Sequence, residues 1–236
     1  LLLQGRVQGL GVRPAIAKLA LRLKLNGSVA NTSDGVLIHL EGFNSVIDEF
    51  QSLLAGALPV SADYRTGRVI DAALAEHQDF RIDPGSPSSI TAVDVPVDLA
   101  MCPQCARELT DHTDRRFGYA FSSCTACGPR YSIIRAMPYE RRDTSMFEFK
   151  LCACCDEEYH NSEDRRFHAQ TVACPNCGPK LVFESETLPH DCTGENAITA
   201  ATEVLRAGGI LALKGLGGYQ LLCDATNAAA IQRLRD

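Results

Sequence analysis

Residues 102–129 read CPQCARELTDHTDRRFGYAFSSCTACGP, and residues 152–179 read CACCDEEYHNSEDRRFHAQTVACPNCGP. Each paired cysteine of the first stretch returns 50 residues later: Cys102, Cys105, Cys124 and Cys127 become Cys152, Cys155, Cys174 and Cys177. Asp114-Arg115-Arg116-Phe117 returns as Asp164-Arg165-Arg166-Phe167, and Gly128-Pro129 as Gly178-Pro179. Between 102–131 and 152–181, 11 of 30 positions are identical, and a strict period of matched positions marks a duplicated structural unit. Two cysteines two residues apart both reach one ion from a tight turn, and two such turns complete a tetrahedral shell. The spacing therefore predicts two zinc sites built from the eight cysteines, with an iron–sulfur cluster as the lesser competitor. A full four-cysteine shell has no open position for water, so these zincs are expected to be structural. Consecutive pairs predict one ion per unit; the first pair joined to the fourth is the alternative. Each site carries about −2 of charge, four thiolates around one dication. Arg115, Arg116, Arg165, Arg166, Arg130 and Lys180 stand nearby in sequence to offset it. Cys154, Cys192 and Cys223 receive no role. His160 and His168 are read as ordinary histidines, because the cysteine shells are already full.

Composition bounds the rest. The chain has 236 residues, 45% hydrophobic and 22% charged, a globular composition sufficient for one to three domains. Eleven cysteines is an odd count, and the leading Leu1-Leu2-Leu3 runs straight into Gln4-Gly5-Arg6 rather than forming a secretory signal. A disulfide framework is thus disfavoured, and a reducing, cytoplasmic setting is expected. No run approaches the roughly 18 apolar residues of a membrane helix. A net charge of −6 speaks against nucleic acid as a partner. The chain opens without Met on strand-like residues and closes inside a helical pattern, so it is read as a piece of a longer protein.

Three zones separate along the chain. Residues 1–83 hold no cysteine and read as β-α-β-β-α-β. Leu1–Val7 is the first strand. A helix follows from Pro14 through Ile16, Leu19, Ala20 and Leu23, with Asn26-Gly27 as its stop. Ser28–Asn31 and Val36–Leu40 are strands joined by Thr32-Ser33-Asp34-Gly35. Ser45–Leu54 is a second helix, and Gly67–Ile70 and Phe80–Ile82 are candidate strands. That order predicts an α+β, ferredoxin-like domain. Residues 84–101, opening on Asp83-Pro84-Gly85-Ser86-Pro87-Ser88-Ser89, are expected to be a linker, and 102–185 the tandem finger. Leu188–Gly194 is a second joint. From 195 to 236 the expectation is a truncated α/β unit: helix Ala197–Ala207, strand Ile210–Leu213, the loop Lys214–Tyr219, strand Gln220–Cys223 and helix Asn227–Leu234.

The chemistry-bearing loop is Gly5-Arg6-Val7-Gln8-Gly9-Leu10-Gly11-Val12-Arg13. Gly9 and Gly11 permit a tight turn whose backbone N–H groups converge at a helix N-terminus, and Arg13 adds a planar fork for phosphate or carboxylate. GRVQGLGVRP, followed by VANTSDG at residues 29–35, resembles the acylphosphatase family. The resemblance implies that Arg13 binds phosphate together with the loop Gln8, Gly9, Leu10, Gly11 and Val12, and that Asn31 orients the attacking water. Val12 stands where many members carry Phe, a difference of packing.

The order of this unit, two four-cysteine units bearing DRRF, and LALKGLGGYQLLCDA at residues 211–225 is similar to the carbamoyltransferases of hydrogenase maturation. That resemblance implies a full protein that cleaves carbamoyl phosphate and, with ATP and Mg, forms carbamoyl adenylate. The carbamoyl group then passes to the C-terminal cysteine of a HypE-type maturation protein, supplying the CN ligand of NiFe-hydrogenase. The last zone would open a YrdC-like domain with Lys214 facing nucleotide. A second reading makes the chain a zinc-stabilised protein-binding module with a vestigial acylphosphatase fold, as DnaJ-type chaperones use CxxC repeats.

Overall fold

The computed structural model describes residues 1–67, 69–85, 96–185, 192–215 and 217–236. Leu2–Arg6 (β1), Asn26–Thr32 (β2), Gly35–Glu41 (β3), Asp63–Thr66 (β4) and Phe80–Ile82 (β5) form one sheet in the order β4-β1-β3-β2-β5. All neighbours are antiparallel except β2 and β5. The first four strands, with Val12–Arg22 (α1) and Asn44–Ala57 (α2), give the ferredoxin-like order, and β5 extends its edge. Apolar spacing explains the packing: Ile16, Ala17 and Ala20 on α1 and Phe50 and Leu54 on α2 meet Leu3, Val29, Val36 and Ile38 of the sheet in one buried cluster. Strand alternation places Asn31 on the same buried face as Val29.

Two local expectations are corrected. The strand expected at Gly67–Ile70 lies earlier, at Asp63–Thr66, paired through Leu3↔Thr66 to Arg6↔Asp63. Asp63, Arg65 and Thr66 are exposed on an edge strand, so it carries no apolar signature; residue 68 is outside the described set. The helix stop is Lys24, left-handed at φ 55°, whereas Asn26-Gly27 opens β2. Of the expected linker, residues 86–95 lie outside the described set. Asp98-Leu99 packs on the finger: Leu99 bridges Gly128, and Asp98 Oδ1 accepts from the Arg130 and Ser132 N–H groups.

Within the finger, Pro103–Thr110 (α3) and Ala153–His160 (α4) each begin directly after the first cysteine of a unit. Cys102 caps α3 by accepting from the Cys105 N–H at 3.4 Å. The two units then exchange side chains. Arg116, 1% exposed, leaves the first unit to grip Glu158 on α4 with both terminal nitrogens and the Ala173 carbonyl with Nε. Arg166 returns the grip on Glu108 of α3 and the Ser123 carbonyl. Arg115 donates to Cys155 Sγ at 3.2 Å, and Arg165 to Cys105 Sγ at 3.2 Å. Asp114 and Asp164 fix each turn by accepting from the backbone N–H two residues on. Of the arginines expected to offset charge, Arg115, Arg116 and Arg165 thus reach the opposite unit's sulfur, and Arg166 reaches its carboxylate. Lys180, exposed, and Arg130 meet no thiol.

Val182–Phe183 (β6), at the end of the finger, pairs with Cys192–Thr193 (β7), and the last zone then runs Glu195–Arg206 (α5), the hairpin Leu211–Gly215 (β8) and Gly218–Leu222 (β9), and Ala228–Arg235 (α6). The joint expected at 188–194 falls mostly outside the described residues. Among the described residues no helix is long and apolar enough to cross a membrane.

Burial opposes the charge of Glu158, but Arg116 and Arg115 outweigh it and hold the carboxyl at about 2 against an ordinary 4.5. A depressed carboxyl stabilises the fold above its unfolded pKa and loses that contribution as pH falls through the folded value. Glu158→Gln is therefore expected to lower stability by about 3 kcal/mol at pH 7. Its deficit relative to the parent should shrink as pH falls from about 4.5 towards 2, measured by denaturant unfolding. A deficit independent of pH would contradict the ion-pair account.

Candidate phosphate site and paired metal centres

The eight paired cysteines gather as two groups, Cys102, Cys105, Cys124, Cys127 and Cys152, Cys155, Cys174, Cys177, with the sulfurs of each within 4.8 Å. Consecutive pairs share a cage; the interleaved alternative does not occur. Neighbouring sulfurs stand 3.8 Å (Cys102–Cys124), 3.8 Å (Cys124–Cys127) and 3.5 Å (Cys105–Cys127) apart in the first cage, and 3.7 Å (Cys152–Cys174, Cys174–Cys177) in the second. A tetrahedron with metal–sulfur bonds of about 2.3 Å has corners about 3.8 Å apart, so the spacing fits zinc. Burial pushes the Cys105 and Cys155 thiols up; a dication is what lets four thiolates share one site. Cys154 is exposed and Cys192 and Cys223 half-buried, all outside the cages.

A third group, His39, Glu41 and His77, also converges. Its carboxylate already accepts from the Ala75 and His77 N–H groups and pairs with His39, pinning the loop before β5.

The loop Gln8–Gly11 turns β1 into α1. Gly9 and Gly11 are left-handed at φ 72° and 83°, and α1 has no side-chain cap on its first N–H groups. A side chain at Gly9 would collide with Pro96 and press on Arg130. Gln8, 1% exposed, pins the loop to the hairpin by donating to the Thr32 carbonyl at 2.8 Å. Leu10 and Val12 are buried, Val12 within the domain core. Arg13 and Asn31 meet at a small cavity of about 30 Å³ whose lining also includes Gly9, Gly11, Thr125 and His168. That is room for a water. Arg13 Nη1 pairs with Glu140 Oε1 at 2.8 Å, and Nη2 donates to the Tyr139 carbonyl. Asn31 Nδ2 donates to the same carbonyl at 3.2 Å, and its buried Oδ1 has no hydrogen-bond partner.

The finger thus walls the site. Arg130, 2% exposed, donates to the Gly9 carbonyl and to the carbonyls of Cys127, Pro129 and Thr125. Phe167 enters the core of the ferredoxin-like domain. His168, left-handed at φ 51°, faces the cavity; burial, helped by the charge of Arg13, lowers it to about 4, so it is neutral at pH 7. Lys214 lies on the exposed hairpin, with Nζ 6.0 Å from the Tyr219 ring centroid, far in sequence from this cavity and absent from its lining.

Sequence reasoning passed over several of these residues. Glu108 and Glu158 occupy one of the identical repeat positions, which was a usable signal. Tyr139 and Glu140 lie between the repeats and carried none. His168, read as an ordinary histidine, sits directly after DRRF and lines the cavity.

A glycine-rich loop ahead of a helix, closed by a duplicated four-cysteine finger, defines the class: a ferredoxin-like domain joined to a module whose two cages fit metal ions. Comparison with known proteins finds three family matches along the chain. The Acylphosphatase family matches residues 1–82, the HypF finger family residues 101–134 and 151–184, and the Telomere recombination (Sua5/YciO/YrdC) family residues 203–236. The chain is 47% identical over 232 residues to the carbamoyltransferase HypF of Synechocystis, covering 98% of this chain and 30% of that protein. It superposes on a full-length HypF crystallised with phosphate and nucleotide at a TM-score of 0.88 and 38% identity, covering 99% of this chain and 30% of that one. The T. kodakarensis HypF structure gives 0.82 and 35%, over 99% and 29%. The chain is similar to these HypF proteins over nearly all of its own length and spans about 30% of theirs.

Because the arginines cross the repeat, a substitution in one unit should be felt by the other unit's metal. Arg165→Ala, in the second unit, is expected to weaken zinc retention at the Cys102–Cys127 cage by about 10–100-fold. Chelator competition on protein loaded with two zincs per chain checks this; loss from the second cage alone would contradict it.

Proposed function

We propose that residues 1–83 form a domain that hydrolyses carbamoyl phosphate to phosphate and carbamate. Arg13 and the loop amides of Gln8–Val12 hold the phosphoryl oxygens, and Asn31 places the water. The observation that carries this reading is the unpartnered, buried Oδ1 of Asn31 beside Arg13, at a cavity large enough for one water. Water bonds to phosphorus in line as the phosphorus–oxygen bond to the carbamoyl group breaks. Carbamate leaves with that electron pair, and the water's proton goes to solvent or phosphate. The protein's contribution is positioning and charge: Arg13 meets the charge on the phosphoryl oxygens, and Asn31 aligns the nucleophile without removing its proton.

The finger, residues 102–185, ligates one structural zinc through Cys102, Cys105, Cys124 and Cys127 and another through Cys152, Cys155, Cys174 and Cys177. Residues 195–236 open a YrdC-like unit in which Lys214 meets nucleotide. In the whole protein, carbamate bonds to the α-phosphorus of Mg-bound ATP with loss of pyrophosphate, giving carbamoyl adenylate, and the carbamoyl group passes to the C-terminal cysteine of a HypE-type protein in the cytoplasm with release of AMP, for the CN ligand of NiFe-hydrogenase. The names of the relatives and the order of matched segments support this sequence of events.

Arg13→Ala is expected to cut kcat/KM for carbamoyl phosphate at least about 100-fold. Asn31→Ala should cut kcat by about 100-fold with KM little changed, since water placement matters only in the transition state. Phosphate release is the assay, with zinc content and melting temperature as folding controls. Turnover unaffected by both changes would leave the protein-binding reading standing.

A further inference from the structure

The phosphate site is held from outside the unit that builds it. The acylphosphatase match ends at residue 82, yet two adjacent finger residues bind three of the site's side chains. The Tyr139 N–H donates to Gln8 Oε1 at 3.0 Å. The Tyr139 carbonyl accepts from Arg13 Nη2 at 3.1 Å and from Asn31 Nδ2 at 3.2 Å. Glu140 Oε1 takes Arg13 Nη1 at 2.8 Å. Glu140 is itself anchored: Oε1 also accepts from the Gly85 N–H at 2.7 Å, Oε2 lies 3.5 Å from Arg142 Nη2, and the side chain is 11% exposed.

An arginine has five N–H donors in a rigid fork. Two are engaged here, which fixes the plane of the guanidinium; among the described residues, the Nε–H and one N–H on each terminal nitrogen have no acceptor and face an incoming anion. Arg142 offsets part of the charge that Glu140 would otherwise turn on an incoming phosphate. We propose that Glu140 is a positioning residue for Arg13, so that the metal-bearing finger completes the phosphate site of the acylphosphatase-like unit. This rests on the hydrolytic reading above. The opposite role, a carboxylate that occupies Arg13 until substrate displaces it, predicts the reverse sign of effect.

The test uses this chain loaded with zinc, assayed for hydrolysis of carbamoyl phosphate with inorganic phosphate as competitor. If Glu140 orients Arg13, Glu140→Ala raises both KM and the inhibition constant of phosphate about tenfold. Glu140→Gln, which keeps an acceptor oxygen for Arg13 and Gly85, returns both to within about threefold of the parent. Unchanged constants, or tighter phosphate binding in Glu140→Ala, would overturn the proposal. Should the Ala variant lose its zinc or its melting transition, Glu140→Asp decides, because it carries the same charge one methylene short. Weaker phosphate binding there supports the role, and equal or tighter binding overturns it. Insensitivity of hydrolysis to Arg13→Ala is a separate result that removes the underlying site assignment.

Discussion

Four thiolates around one dication would leave about −2 of charge inside a small module, and this module holds two such cages. The chain meets that excess by crossing its arginines. Arg115 and Arg116 serve the sulfur and helix of the second unit, Arg165 and Arg166 those of the first. Each buried guanidinium, that of Arg116 and that of Arg166, meets a carboxylate with both terminal nitrogens and a backbone carbonyl with Nε. A buried arginine without such partners would be strongly destabilising, so neither unit is electrostatically complete without its twin.

The same module sets the shape of the candidate phosphate site. The knuckle at Cys124–Cys127 presents carbonyls to Arg130, and Arg130 carries that constraint to Gly9 in the loop. Phe167 fills the neighbouring core and His168 faces the cavity without charge. Metal cage, loop and cavity therefore form one continuous network of hydrogen bonds and packing. A neutral imidazole beside Arg13 leaves the arginine's attraction for anions undiluted by a rival cation that titrates near neutrality.

Much of this was legible in the chain. The period of 50 and the CxxC pairs located the cages, because metal geometry constrains spacing directly. Gly9, Gly11, Arg13 and Asn31 were readable from the loop and its family resemblance. What stayed hidden has physical reasons. Strand β4 is an exposed edge of Asp, Tyr, Arg and Thr, held by backbone pairing rather than apolar alternation. Lys24 gave no sign of ending a helix, since a left-handed lysine is set by its surroundings. Glu140 belongs to no repeat and no apolar pattern; its partner is 127 residues away, and only the docking of two units brings them together.

The exchange of arginines has the form of a two-fold assembly in which each half lends an arm to the other. A single copy of this unit would leave both a glutamate and a guanidinium exposed without their counterparts, and it would be completed only by meeting another like itself. Tandem repetition in one polypeptide makes that encounter intramolecular, so the pairing no longer depends on concentration. It also frees the two copies to diverge: the stretch between them is at liberty to acquire side chains, Glu140 among them, that face a neighbour on one side only.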